Sequence, residues 1–215
     1  MNPIDRDRSG ATRAHRAVVS TLQLLTDEQA RQPSRLPGWS VGHVATHIAR
    51  NAEGHVRMCD AAIRGEVAEM YPGGQEQRTG DIEAGSGRSA AELLAHVAAT
   101  AAKLESTWEA MPDGAWAGRG ITFAGELTMS DLLFIRWRET TVHHADLGLD
   151  FAWADWDPEY VRAELARLTM LWASRKPMGL TELPPEALRV SDRHRVAWLL
   201  GRADIEGLGP AGIIA

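Results

Sequence analysis

Glu139 and His143 lie one helical turn apart in "RWRETTVHHADLGLD", residues 136–150, a stretch that also carries Arg136, His144 and Asp146. A carboxylate and an imidazole at this spacing can pair with each other or hold a metal ion between them. Helical rotation shows which way they face. With Glu139 at zero and about 100° per residue, Leu132, Ile135, Val142 and Leu147 fall at roughly +20°, −40°, −60° and +80°. Glu139 therefore sits at the centre of an apolar arc. His143 at about +40° and Asp146 at about −20° share that side, whereas His144 near +140° turns away. Burying such groups is costly unless they pair or bind something, so a solvated face is the wrong reading. Asp146 is placed either to orient an imidazole or simply near the helix end.

Two ligands do not hold a metal, and a third must come from another helix. The stretch "WSVGHVATHIARNAEGH" offers His43, His47 and His55. Its apolar positions Val44, Ala45, Ile48, Ala52, Val56 and Ile63 span an arc bordered by His47, with His43 about 40° further out. His55 lies inside the arc but about 12 Å along the axis from His47, too far to share one ion with it. Geometry prefers His47 to His43 and leaves His55 open. A His/His/Glu set suits zinc or another borderline divalent ion, with a fourth position for substrate. The competing structural reading is a buried Glu–His hydrogen bond, because Glu-x-x-x-His arises by chance on many helices.

The elements that must position these residues follow from capping signals and periodicity. Ala11, Ala14, Val18, Leu22 and Leu25 mark a first helix over residues 4–24. After the "PSRLPGWS" turn, Ser40 caps a second helix running to about Gly65. Residues 66–88, rich in glycine and polar side chains, read as a long crossing loop. Ser89 and Glu92 form a capping box for a third helix to about Met111, and Thr128 starts a fourth that ends at Gly148. The linker between them has room for one extended pair. Four such helices predict a mainly α fold, a four-helix bundle over residues 1–149, with a small C-terminal α or α/β region over 150–215. In that tail Asp157 and Pro158 start a helix with Val161, Leu165, Leu168 and Trp172 as its stripe. A short helix is expected from Asp192 to Leu200. Trp39 and Trp198 are candidates to line a pocket.

Composition narrows the function. The chain has 215 residues and a net charge of −6, with a pI near 5.8, which weighs against nucleic-acid binding. No run of about 18 apolar residues is present to span a membrane. Met1 leads into "NPIDRDRSGATRAHR", which mixes both charge signs and lacks a signal-peptide core, so a cytoplasmic protein is expected. The lone Cys59 excludes an internal disulfide and reads as a small buried hydrophobe.

The segments "LPGWSVGHVATHIARNAEGH", "MYPGGQEQRTGDI", "RWRETTVHHADLGL" and "VAWLLGRADIEGL" together resemble the mycothiol-dependent maleylpyruvate isomerases. The amino-terminal domain of that family belongs to the DinB-like metal-binding four-helix bundles. The resemblance covers residues 10–149, and it implies zinc ligands at His47, Glu139 and His143. It implies mycothiol as thiol cosubstrate, a small-molecule substrate, and a catalytic role for His47 and for Arg202, which would grip a substrate carboxylate. The implied reaction is isomerisation of maleylpyruvate to fumarylpyruvate. The alternatives on the same bundle are a mycothiol S-transferase, in which the thiol is consumed, and a non-enzymatic metal-binding bundle.

Overall fold

The computed structural model describes residues 2–175 and 181–213. The chain divides into two compact units, Met1–Phe151 and Ala152–Ala215.

In the first unit, α1 (Pro3–Leu22) is followed by a five-residue helix α2 (Asp27–Arg31) and by α3 (Val41–Ile63). Ser40 caps α3 by accepting from the His43 backbone N–H, while the His43 side chain reaches back to the Ser40 backbone. A short strand β1 (Ala68–Glu69) leads to α4 (Gly74–Ser86) and then α5 (Ala90–Ala110), started by the Ser89/Glu92 capping box. The hairpin of β2 (Arg119–Thr122) and β3 (Gly125–Thr128) precedes α6 (Met129–Asp146). The expected extended pair is this hairpin, and β1 joins it in parallel to make a sheet of order β1-β2-β3.

The long helices form the bundle: α3 packs on α5 and α6, and α1 packs on the same two from the other side. Val18, Leu22, Val44, Ile48, Leu93, Val97 and Leu147 meet in its apolar core. Each helix thus buries most of the stripe that its periodicity marked, though Ile63 at the end of α3 is 39% exposed. α6 stops because Gly148 takes a left-handed backbone, φ +74°, which an L side chain resists.

Residues 66–88 do not form a crossing loop; most of them are α4. Its apolar signal is nearly absent, because only Ile82 and Gly85 are buried. It is seated on α3 by close backbone approach instead. A Cβ added at Gly42 would lie 2.2 Å from the Ser86 carbonyl oxygen, and one at Gly85 would lie 2.5 Å from the Thr46 methyl. Glycine rather than an apolar stripe permits that contact.

The second unit, taken by itself, has α7 (Pro158–Ser174), α8 (Pro185–Arg189) and α9 (Asp192–Leu199), with no strand among its described residues. Asp157 caps α7 by accepting from the Glu159 N–H. Trp172 and Trp198 pack 5.2 Å apart between α7 and α9, each donating its indole N–H to a carbonyl, of Glu182 and Gly209 respectively. Trp198 is therefore a core residue of this unit.

Candidate metal centre

α3 and α6 bring His47, Glu139 and His143 together, although Glu139 is more than 90 residues from His47 in sequence. Their donor atoms all lie within 4.8 Å of one another, and among the described residues they form the one such His/Cys/Asp/Glu group. The Glu139 Oε2 is 3.3 Å from His47 Nε2 and 3.5 Å from His143 Nε2. An ion about 2.1 Å from each of three tetrahedral donors separates them by about 3.4 Å. The donor set, two imidazoles and a carboxylate, therefore fits a divalent ion both in chemistry and in spacing.

Orientation is set by neighbouring groups. His143 Nδ1 is 2.9 Å from Oδ2 of the fully buried Asp146, so it carries the proton and leaves Nε2 free as a donor to a metal. Burial pushes the His47 imidazole down to about 4, and the neighbouring His143 charge adds to the effect. His143 moves the other way, up to about 9: its burial opposes the shift, but the hydrogen bonds and charges of Asp146 and Glu139 outweigh it. Against its own burial, Glu139 is held well below the usual carboxylate range by His143 and His47. At neutral pH the metal-free triad thus holds one proton beyond those of two neutral imidazoles, on His143, and His47 is neutral.

Behind Glu139 runs a polar network that the sequence reading missed. Arg136 is 1% exposed. Its Nη1 donates to the Asn51 side-chain oxygen at 2.8 Å and to the Ile48 carbonyl at 3.0 Å, and its Nε donates to His15 Nε2 at 2.9 Å. A guanidinium only donates, so every partner's role follows. His15 must accept at Nε2, carry its proton on Nδ1 and donate it to Glu105 at 2.8 Å. Asn51, having turned its oxygen to Arg136, offers its amide N–H to Glu139 Oε2 at 3.5 Å. Burial, with the Arg136 charge opposing protonation, pushes His15 down to about 4, consistent with that neutral form. The signals were present in the sequence. On the α6 wheel Arg136 falls at roughly +60°, inside the apolar arc, and His15 interrupts the Ala11–Val18–Leu22 stripe.

The other candidates separate. His43 is half-buried, with Nδ1 on the Ser40 hydroxyl and Nε2 3.1 Å from Glu83, outside the triad. His55 is buried on α3, also outside the triad, and burial pushes it down to about 3. His144 turns away from the triad as expected, though into a second buried contact rather than toward water. Its Nε2 is 2.7 Å from the Thr21 hydroxyl and its ring stacks on Phe151. Trp39 stands edge-on to His47 at 5.7 Å, against the centre. Cys59 is 3% exposed and burial pushes its thiol up to about 12, so it behaves as a hydrophobe. Arg202 belongs to the second unit, where it follows α9 half-buried and donates Nη1 to the Leu200 carbonyl.

Comparison with known proteins places this geometry in context. A crystal structure of the mycothiol-dependent maleylpyruvate isomerase superimposes with a TM-score of 0.83 at 24% identity, covering 94% of this chain and 90% of that one. A structure of such an isomerase with one histidine replaced by alanine gives 0.82 at the same identity and coverage. At this identity the likeness establishes the fold. No curated protein sequence matches the chain significantly. The model of the mycothiol maleylpyruvate isomerase N-terminal domain matches residues 11–148, which include α3, α6 and all three residues of the triad. By that match, over more than half its length, the chain belongs to the mycothiol maleylpyruvate isomerase N-terminal domain family.

Proposed function

We propose that the protein is a mycothiol-dependent cis–trans isomerase that converts maleylpyruvate to fumarylpyruvate, with His47, Glu139 and His143 holding a divalent ion, zinc by the chemistry of the set. The observation that carries this reading is the convergence of the three donors around one Glu139 oxygen, in a chain of this family.

Rotation about the cis double bond of the substrate is blocked while it remains a double bond. Addition of a thiolate to one alkene carbon moves the π electrons into an enolate and leaves a single bond free to turn. Elimination then reforms the alkene as the trans isomer and returns the thiolate, so atoms and charge balance without a net proton change. A divalent ion at the triad would supply Lewis acidity, lowering the pKa of a thiol or steadying developing negative charge on oxygen. The chain's own part is positional. Asp146 fixes the His143 tautomer, and Asn51 and Arg136 aim the Glu139 carboxylate. We assign to Arg202 a substrate carboxylate, on the resemblance of its segment and the suitability of its planar fork for that group. A reaction that needs a free thiol belongs in a reducing compartment, and we place it in the cytoplasm.

The test is to incubate zinc-loaded protein with maleylpyruvate and mycothiol and to quantify both products and thiol. The reading predicts fumarylpyruvate with the thiol recovered unchanged. A stable thiol conjugate in its place means S-transfer, and full turnover without thiol would sink the proposal.

A further inference from the structure

Arg78 projects from α4 toward the metal centre. Its Cζ stands 5.8 Å from the centroid of the Trp39 ring, and its Nη2 is 3.4 Å from His47 Nδ1. No carboxylate among the described residues is within ion-pair distance of it.

The two triad histidines differ in what faces their second nitrogen. His143 Nδ1 has Asp146, an acceptor. His47 Nδ1 has Arg78, a guanidinium that only donates. An imidazole that gives its Nε2 lone pair to a metal carries its one proton on Nδ1 and becomes a donor there. Two donors at that distance do not satisfy each other, and a common acceptor must enter between them. We propose that this acceptor is a carboxylate of the substrate, gripped by Arg78 and by the His47 Nδ1–H with the Trp39 face beneath. The inference rests on the isomerase reading for two things, a metal at His47 Nε2 and a dicarboxylate electrophile. It adds that one end of the electrophile docks on α4, leaving the other for a second cation. A fork beside a ring and a neutral donor selects a planar anion over an alcohol or ester.

The experiment uses the zinc-loaded full chain without thiol, titrated calorimetrically with maleate and, separately, with its dimethyl ester. The proteins are wild type, Arg78→Met and Arg78→Lys, with zinc content and circular dichroism recorded for each. Arg78→Met should weaken maleate binding about tenfold or more, because hydrogen bonds to a charged group are lost, and Arg78→Lys should recover part of it. Zinc content and the response to the ester should be the same in all three. Equal maleate affinity in wild type and Arg78→Met overturns the proposal. So does failure of wild type to bind maleate, or loss of zinc along with maleate in the Met variant, which would make Arg78 a support of the metal site. Since maleate binds here without turnover, the answer stands apart from whether maleylpyruvate is isomerised.

Discussion

At the scale of single residues, the centre is defined by which nitrogen carries which proton. Asp146 settles this for His143, and in metal sites a carboxylate behind an imidazole raises ligand basicity as well as fixing the ring. Asp146→Asn keeps the shape but removes the charge. It should weaken zinc affinity by about 10- to 100-fold, read by competition with a chromophoric chelator, with the helical circular dichroism unchanged. Unaltered affinity would show that Asp146 merely ends the helix. The facing of Glu139, His143 and Asp146 was legible in the sequence because one helix carries all three and a wheel needs no partner. Arg136 was legible only as an inward cation. That it aims Glu139 through Asn51 depends on α3, and that it fixes the His15 tautomer depends on α1; neither packing neighbour is encoded near residue 136.

At the scale of elements, the ligand-bearing helices announce themselves through Ser40 and Thr128 as caps, as α5 does through Ser89, and all three through apolar stripes of helical period. α4 is silent by the same criteria, since its docking uses glycine and backbone rather than hydrophobic side chains. The five-residue α2 is too short for any period to register. The seam between α3 and α5 also carries a charge device. Glu53 on α3 accepts from His96 Nε2 on α5 at 2.8 Å and from Arg50 at 2.8 Å. The His96 hydrogen bond first, then Arg50, outweigh partial burial and hold the Glu53 carboxyl down to about 2. A folded-state value below the unfolded one means that the ionised form favours the fold. Its contribution is complete above the usual carboxylate value, about 4.5, and is lost as pH falls toward about 2. Glu53→Gln should therefore lower the melting temperature near neutral pH and leave the protein less sensitive to acid over that window. Parallel melting curves for wild type and variant from pH 5 to about 2 would contradict the assignment.

At the scale of the whole molecule, the bundle places one carboxylate between two imidazoles that come from distant parts of the chain, and family membership gives that arrangement a chemistry. Arg78 lies in a segment whose composition reads as loop, so in the sequence no helix face points it anywhere. The neutral His47 and protonated His143 of the metal-free triad describe a site in which a proton holds the place suited to a divalent ion. The proposed activity therefore turns on whether an ion at these three residues is needed for turnover. The most direct measurement is to strip the protein with a chelator, return zinc in steps, and follow fumarylpyruvate formation in the presence of mycothiol. Activity should be lost on stripping and restored in proportion to zinc up to about one equivalent, in wild type but not in Glu139→Gln. Full turnover by the metal-free protein, or equal restoration in the variant, would contradict it.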